Sequence, residues 1–112
     1  MKQRDIVLLP FPFSDQTGIK VRPGFVISND NFNKASEDII VCAVTSNIEK
    51  SKYTMIIDQK DLESGHLYQQ SAIEVENVLK IKKSLAIKTI ATVKKEVLTG
   101  VLDILQTLIE PV

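Results

Sequence analysis

Residues 93–111 read Val-Lys-Lys-Glu-Val-Leu-Thr-Gly-Val-Leu-Asp-Ile-Leu-Gln-Thr-Leu-Ile-Glu-Pro. Val93, Val97, Leu98, Val101, Leu102, Leu105, Leu108 and Ile109 recur three or four apart, while Lys94, Lys95, Glu96, Thr99, Asp103 and Gln106 take the other side. That is the pattern of an amphipathic helix with one face on a core. It predicts a helix over 93–110, with Thr92 capping its start and Pro111 just past its end. Gly100 inside a helix costs about 1 kcal/mol relative to alanine, which points to a close approach of another element at that turn.

Upstream of this helix the apolar runs are short and β-rich. Residues 5–11 (Asp-Ile-Val-Leu-Leu-Pro-Phe) read as a first strand, stopped by Pro12. The polar segment 14–20 carries Gly18 and has the composition of a hairpin loop. Residues 24–28 (Gly-Phe-Val-Ile-Ser) form a second strand, entered through Arg22-Pro23, where proline pushes Arg22 into an extended backbone. The Asn-rich stretch 29–36 reads as a turn or loop. Residues 39–45 (Ile-Ile-Val-Cys-Ala-Val-Thr) are nearly all apolar, as in a strand covered on both faces. Residues 53–58 and 72–77 supply two more strands, the second with Glu74 and Glu76 on the face away from Ile73 and Val75, and 61–70 reads as a polar connection between them. Short strands followed by one helix make an α+β domain, most economically a small barrel-like sheet of about five to seven strands with the C-terminal helix laid on it.

The 112 residues are the size of one domain, 1–112, and 44% apolar with 25% charged residues is an ordinary folded composition. Fourteen Lys and Arg balance fourteen Asp and Glu, so a histone-like basic coat is excluded and attraction to nucleic acid has to come from local charge. One cysteine, Cys42, allows no intrachain disulfide and no thiolate set for zinc. The apolar run at 6–9 is too short for a signal peptide and no window reaches the length of a membrane span, so the expected location is the cytoplasm with no membrane partner.

The inventory of reactive groups is short. His66 is the single histidine and sits in a polar connection, where a solvated loop histidine is the plain reading. No serine has a Gly-x-Ser-x-Gly context and the four glycines form no phosphate cradle, which argues against triad and P-loop chemistry. Glu74 and Glu76 read as a solvated strand face rather than a cation site, and Cys42 as core rather than nucleophile. Six lysines (80, 82, 83, 88, 94, 95) with no acid between 80 and 95 make a local basic stripe, which either solubilises or faces a phosphate backbone. Arg22 and Thr45 are the sharper pair. A guanidinium fork fits phosphate oxygens and a strand-end hydroxyl is fixed in position, so together they could grip a phosphodiester, although from the pattern alone a salt-bridging arginine and a structural strand-end threonine are the plainer reading.

The segments 5–15 (Asp-Ile-Val-Leu-Leu-Pro-Phe-Pro-Phe-Ser-Asp), 21–28 (Val-Arg-Pro-Gly-Phe-Val-Ile-Ser) and 41–46 (Val-Cys-Ala-Val-Thr-Ser) together resemble the MazF/PemK family of toxin endoribonucleases, and the likeness runs on through 71–73 and the terminal helix. The resemblance implies an SH3-like β-barrel with a C-terminal helix, a homodimer, a cognate antitoxin whose C-terminal segment fills the RNA groove, and cleavage of single-stranded mRNA at short sequences with no metal or other cofactor. It implies Arg22 and Thr45 as the catalytic residues, the first stabilising charge on the phosphate and the second orienting it. Around them Lys20 and Ser46 are expected to contact phosphate, Asp15, Gln16 and Thr17 to shape the base-reading loop, and Gly24 to border the substrate site. Arg4 stands where the family often has glycine, and Gly24 where it commonly has a larger apolar residue. A different outcome of the same fold is a CcdB-like toxin that binds DNA gyrase and cleaves nothing.

Overall fold

A computed structural model describes residues 1–12, 18–49, 51 and 53–112. Seven strands, β1 (Asp5–Pro12), β2 (Ile19–Val26), β3 (Asp38–Thr45), β4 (Thr54–Ile57), β5 (Leu62–Gly65), β6 (Ser71–Lys82) and β7 (Lys88–Val93), are joined by a short helix α1 (Asp30–Ala35) and end in α2 (Lys95–Ile109). They form one curled antiparallel sheet in the order β4-β6-β3-β2-β1-β7-β5.

Alternation along β1, β2 and β3 sends apolar side chains to both faces. Ile6, Phe25, Cys42 and Val44 join Ile73, Val75 and Val93 beneath Val97 and Val101 of α2. Their neighbours Val7, Leu9, Val26, Val41 and Ala43 form a second cluster on the opposite face, closed by Leu79 and Ile81. The nearly continuous apolar run of β3 has its explanation here, since a strand buried on both faces needs no polar alternation.

One irregularity lets β6 serve both clusters. Cys42 pairs with Val78 whereas the next residue, Ala43, pairs with Glu74, so three extra residues of β6 bulge at this point. An odd number of extra residues exchanges the faces of a strand. Ile73 and Val75 accordingly face α2, while Leu79 and Ile81, at the same parity, face the other cluster.

Several sequence expectations change in the fold. Strand β2 begins at Ile19, so Arg22 and Pro23 lie within it rather than at its mouth. Proline is tolerated because the β2–β3 ladder covers only Gly24 to Val26, leaving one side of β2 uncovered at Pro23. Pro10 and Pro12 likewise lie beyond Leu8, where the ladder to β7 stops. The connection 61–70 contains β5, the stretch 29–36 contains α1, and the lysine-rich region contains the end of β6 and all of β7. Thr92 belongs to β7 and its hydroxyl donates to Asp5 Oδ1 at 2.8 Å, so α2 starts instead behind Lys94, which makes no side-chain cap. Tertiary pairing outcompetes a cap worth about 1 kcal/mol. Gly100 does mark a close approach: a Cβ there would collide with Met55 Cε of the β4 strand.

Candidate nucleic-acid cleft

A cleft of about 310 Å³ opens where β2, the end of β3 and the connection between β5 and β6 converge. The lining includes Lys20 and Arg22 of β2, Thr45 and Ser46 at the end of β3, His66 to Gln69 of the connection, Ser71 of β6 and Ile90 of β7. The register that pairs Gly24 with Ala43, carried two residues further, sets Arg22 opposite Thr45. Both therefore project on the same side of neighbouring strands, which is how residues distant in the chain come to face one space. Arg22 and Thr45 are half-buried, whereas Lys20 and Ser46 are exposed.

Thr45 is held by a local turn, its Oγ1 accepting the Asn47 backbone N–H at 3.1 Å. A hydroxyl has one proton and two lone pairs, so this bond fixes the oxygen and leaves the proton free for an incoming acceptor. Thr45 also forms the wall of a second depression with Asn47, Glu49, Ser51, Thr54, Glu74 and Glu76. Among the described residues no group of three or more His, Cys, Asp or Glu is arranged to hold a metal ion.

Of the other residues read from the sequence, Lys20 and Ser46 line the cleft and Gly24 does not. Gly24 is buried, and a Cβ on it would stand 2.9 Å from Leu9 Cδ1 and 3.3 Å from Val41 Cβ. It lies within β2, the strand that carries Arg22, and packs closely against Leu9 of β1 and Val41 of β3. Asp15, Gln16 and Thr17 lie outside the described residues. The basic stripe is dispersed: Lys80 and Lys82 lie on β6, Lys83 donates to the Asn33 carbonyl at 2.7 Å, Lys88 is on β7, and none of the six lines the cleft. Cys42 is fully buried, and burial pushes its thiol up to about 11, which suits a core residue and not a nucleophile.

His66 and Tyr68 were not legible as site residues. Both line the cleft with their rings stacked, centroids 6.1 Å apart. Nothing in a polar connection signals this placement, which depends on β5 pairing with β7 and turning back at Gly65.

A family model described as PemK-like, MazF-like toxin of type II toxin-antitoxin system matches residues 2–109. The chain belongs to that family. Solved structures with the same fold include the Mycobacterium tuberculosis toxin MazF-mt6, 15% identical, with a TM-score of 0.76 over 93% of this chain and 94% of that one. A mycobacterial endoribonuclease in complex with its cognate antitoxin is 14% identical, with a TM-score of 0.78 over 100% of this chain and 98% of that one. A MazE–MazF structure from Deinococcus radiodurans is 21% identical, with a TM-score of 0.75 over 96% and 94%. No curated protein sequence is significantly similar. At these identities the likeness to solved structures establishes the fold, a PemK/MazF curled sheet with its terminal helix. Within the described residues no helix is long and apolar enough to cross a membrane.

Proposed function

We propose that this family member is an endoribonuclease that cuts single-stranded mRNA at short sequences, with its reaction centred on Arg22 and Thr45. The observation that carries the reading is their convergence across β2 and β3 on one cleft. In the reaction, the RNA 2′-oxygen forms a bond to phosphorus and the bond from phosphorus to the 5′-oxygen breaks, giving a cyclic phosphate and a new 5′-hydroxyl end. Negative charge builds on the non-bridging oxygens, where a guanidinium stabilises it and the Thr45 hydroxyl donates to one of them. A guanidinium does not act as a base at neutral pH, so Arg22 supplies charge and can give a proton to the departing 5′-oxygen, which solvent then restores. Lys20 and Ser46 extend the contact along the phosphate chain.

The reading includes two partners. An antitoxin segment occupying the cleft would silence the protein by excluding RNA, as the family's toxin–antitoxin character suggests. A second copy of the chain is expected to form a homodimer. The gyrase-binding alternative is not favoured, because the family model that matches is the PemK/MazF one.

The test is direct. Purified protein incubated with mixed-sequence RNA in EDTA should yield fragments with 5′-hydroxyl ends, and Arg22→Ala should lower the rate by roughly 100- to 1000-fold, the usual loss when one transition-state donor is removed. RNA left intact by folded wild-type protein would overturn the reading, and cleavage lost only in EDTA would overturn its metal independence.

A further inference from the structure

Cleavage by 2′-oxygen attack needs a group that takes the 2′-hydroxyl proton, and Arg22 and Thr45 do not provide one. Among the described residues lining the cleft there is no aspartate or glutamate. Lys20 and Arg22 are cationic donors, and the hydroxyls of Thr45, Ser46, Ser71 and Tyr68 are weak bases. Among the described lining residues the remaining group is the imidazole of His66.

The surroundings of His66 decide which of its nitrogens is free. Gln59 reaches across from the turn preceding β5 and makes three contacts with one short segment. Its Nε2 donates to the Gly65 carbonyl at 3.1 Å, its Oε1 accepts the Leu67 N–H at 3.0 Å, and the same Oε1 lies 3.3 Å from His66 Nδ1. The first two contacts fix which end of the amide is oxygen. An oxygen facing Nδ1 requires that nitrogen to carry the proton, so in the neutral ring Nε2 bears the lone pair. The backbone is equally constrained. Gly65 adopts φ 87°, a Cβ on it would collide with the Ile90 carbonyl, and His66 N–H donates to that carbonyl at 3.1 Å. A side-chain clamp around a single imidazole, at the edge of a cleft with a cation and a phosphate-orienting hydroxyl, is the arrangement of an oriented general base.

We propose that His66 is the general base of this site and Gln59 its positioning residue, an inference that rests on the ribonuclease reading above. Nε2 takes the proton of the 2′-hydroxyl as the oxygen bonds to phosphorus. The electron pair of the breaking bond leaves on the 5′-oxygen, which is protonated by Arg22 or by water. His66 then returns its proton to solvent. Among the described residues, the charged and titratable groups that share a depression with the ring are Tyr68 on its own segment, Lys88 of β7 in an adjoining depression, and Lys20 and Arg22 of β2 in the cleft.

The test uses the intact protein and an RNA oligonucleotide containing its mapped cleavage site. His66→Gln and His66→Ala, on an exposed residue, should keep the wild-type circular dichroism spectrum while kcat falls by roughly 100- to 10,000-fold with KM little changed. The wild-type rate should fall toward acid pH, that fall should vanish in both variants, and added imidazole should restore part of the activity of His66→Ala. Gln59→Ala should reduce kcat less and keep the acid limb. A substrate with sulfur in place of the scissile 5′-oxygen needs no proton on its leaving group. The His66 variants should remain slow on it, and their rescue there would make His66 the acid and sink the assignment. If wild type cleaves and His66→Gln cleaves equally well, the base is elsewhere while the ribonuclease reading stands. If wild type does not cleave at all, both fall.

Discussion

Arg22 and Thr45 lie two residues beyond the Gly24–Ala43 pair on adjacent antiparallel strands, and that register extended sets them opposite each other. The β2–β3 ladder ends at the Gly24–Ala43 pair, two residues before them, and both line the cleft. The site is thus built from the frayed end of a ladder whose other end is fully buried.

This arrangement predicts different outcomes for two substitutions of Thr45. Thr45→Ser retains the hydroxyl and the bond from Asn47 N–H, and should keep cleavage near wild type. Thr45→Ala removes the donor to the phosphate and should lower kcat/KM roughly 10- to 100-fold, the value of one hydrogen bond to a charged group. Steady-state cleavage of a defined RNA oligonucleotide measures both, and equal activity of the alanine and serine variants would remove Thr45 from the chemistry.

Gly24 should matter for stability alone. Gly24→Ala forces a methyl against Leu9 and Val41, both fully buried and unable to retreat into solvent. The expected cost is about 1–3 kcal/mol in urea unfolding, with kcat per folded molecule unchanged. A normal melting curve with lost cleavage would return Gly24 to the substrate site.

Arg4 occupies the left-handed region at φ 82°, a conformation that costs an L-residue roughly 1 kcal/mol relative to glycine. Its guanidinium offsets this by donating to the Val93 carbonyl at 2.9 Å and to Glu63 at 3.0 Å. Arg4→Ala loses the bonds and keeps the strain, whereas Arg4→Gly loses the bonds and relieves it. The glycine variant should therefore be more stable than the alanine variant by about 1 kcal/mol, and thermal unfolding that ranks them the other way contradicts the strain.

Cys42 predicts an alkaline weakness. Its thiol is raised by burial from 9.0 to about 11, so the folded protein holds a proton that the unfolded chain releases first. This contribution is complete below pH 9 and is lost as the pH rises through 11. Compared with Cys42→Ala, which removes the titration while other alkaline groups remain, wild type should lose roughly 2–3 kcal/mol more across that interval. Parallel denaturant curves for the two proteins at pH 8 and pH 11 measure the difference.

Much of the fold was readable in residues such as Ile39 to Thr45 and Val97 to Ile109, because burial on both faces or on one helical stripe leaves a direct pattern in composition. Glycine and proline were read with mixed success. Gly100 signalled a close approach that Met55 makes, whereas Pro23 suggested a strand's beginning and instead lies inside one that is uncovered on one side. Strands β5 and β7 carry too little apolar alternation to stand out, since each is held by pairing with its neighbour more than by its own burial pattern.

What the amino-acid sequence determined by itself was the α+β class, the core of β3, the terminal helix and, through the spacing of three N-terminal motifs, the family. Only the tertiary structure decided that Arg22 and Thr45 share a cleft, that Gly24 packs closely against Leu9 and Val41, and that His66 borders the cleft within reach of Gln59. Local patterns record which side of an element is buried, whereas a site depends on strand register and on where a ladder ends, and those are set by pairings between residues far apart in the chain.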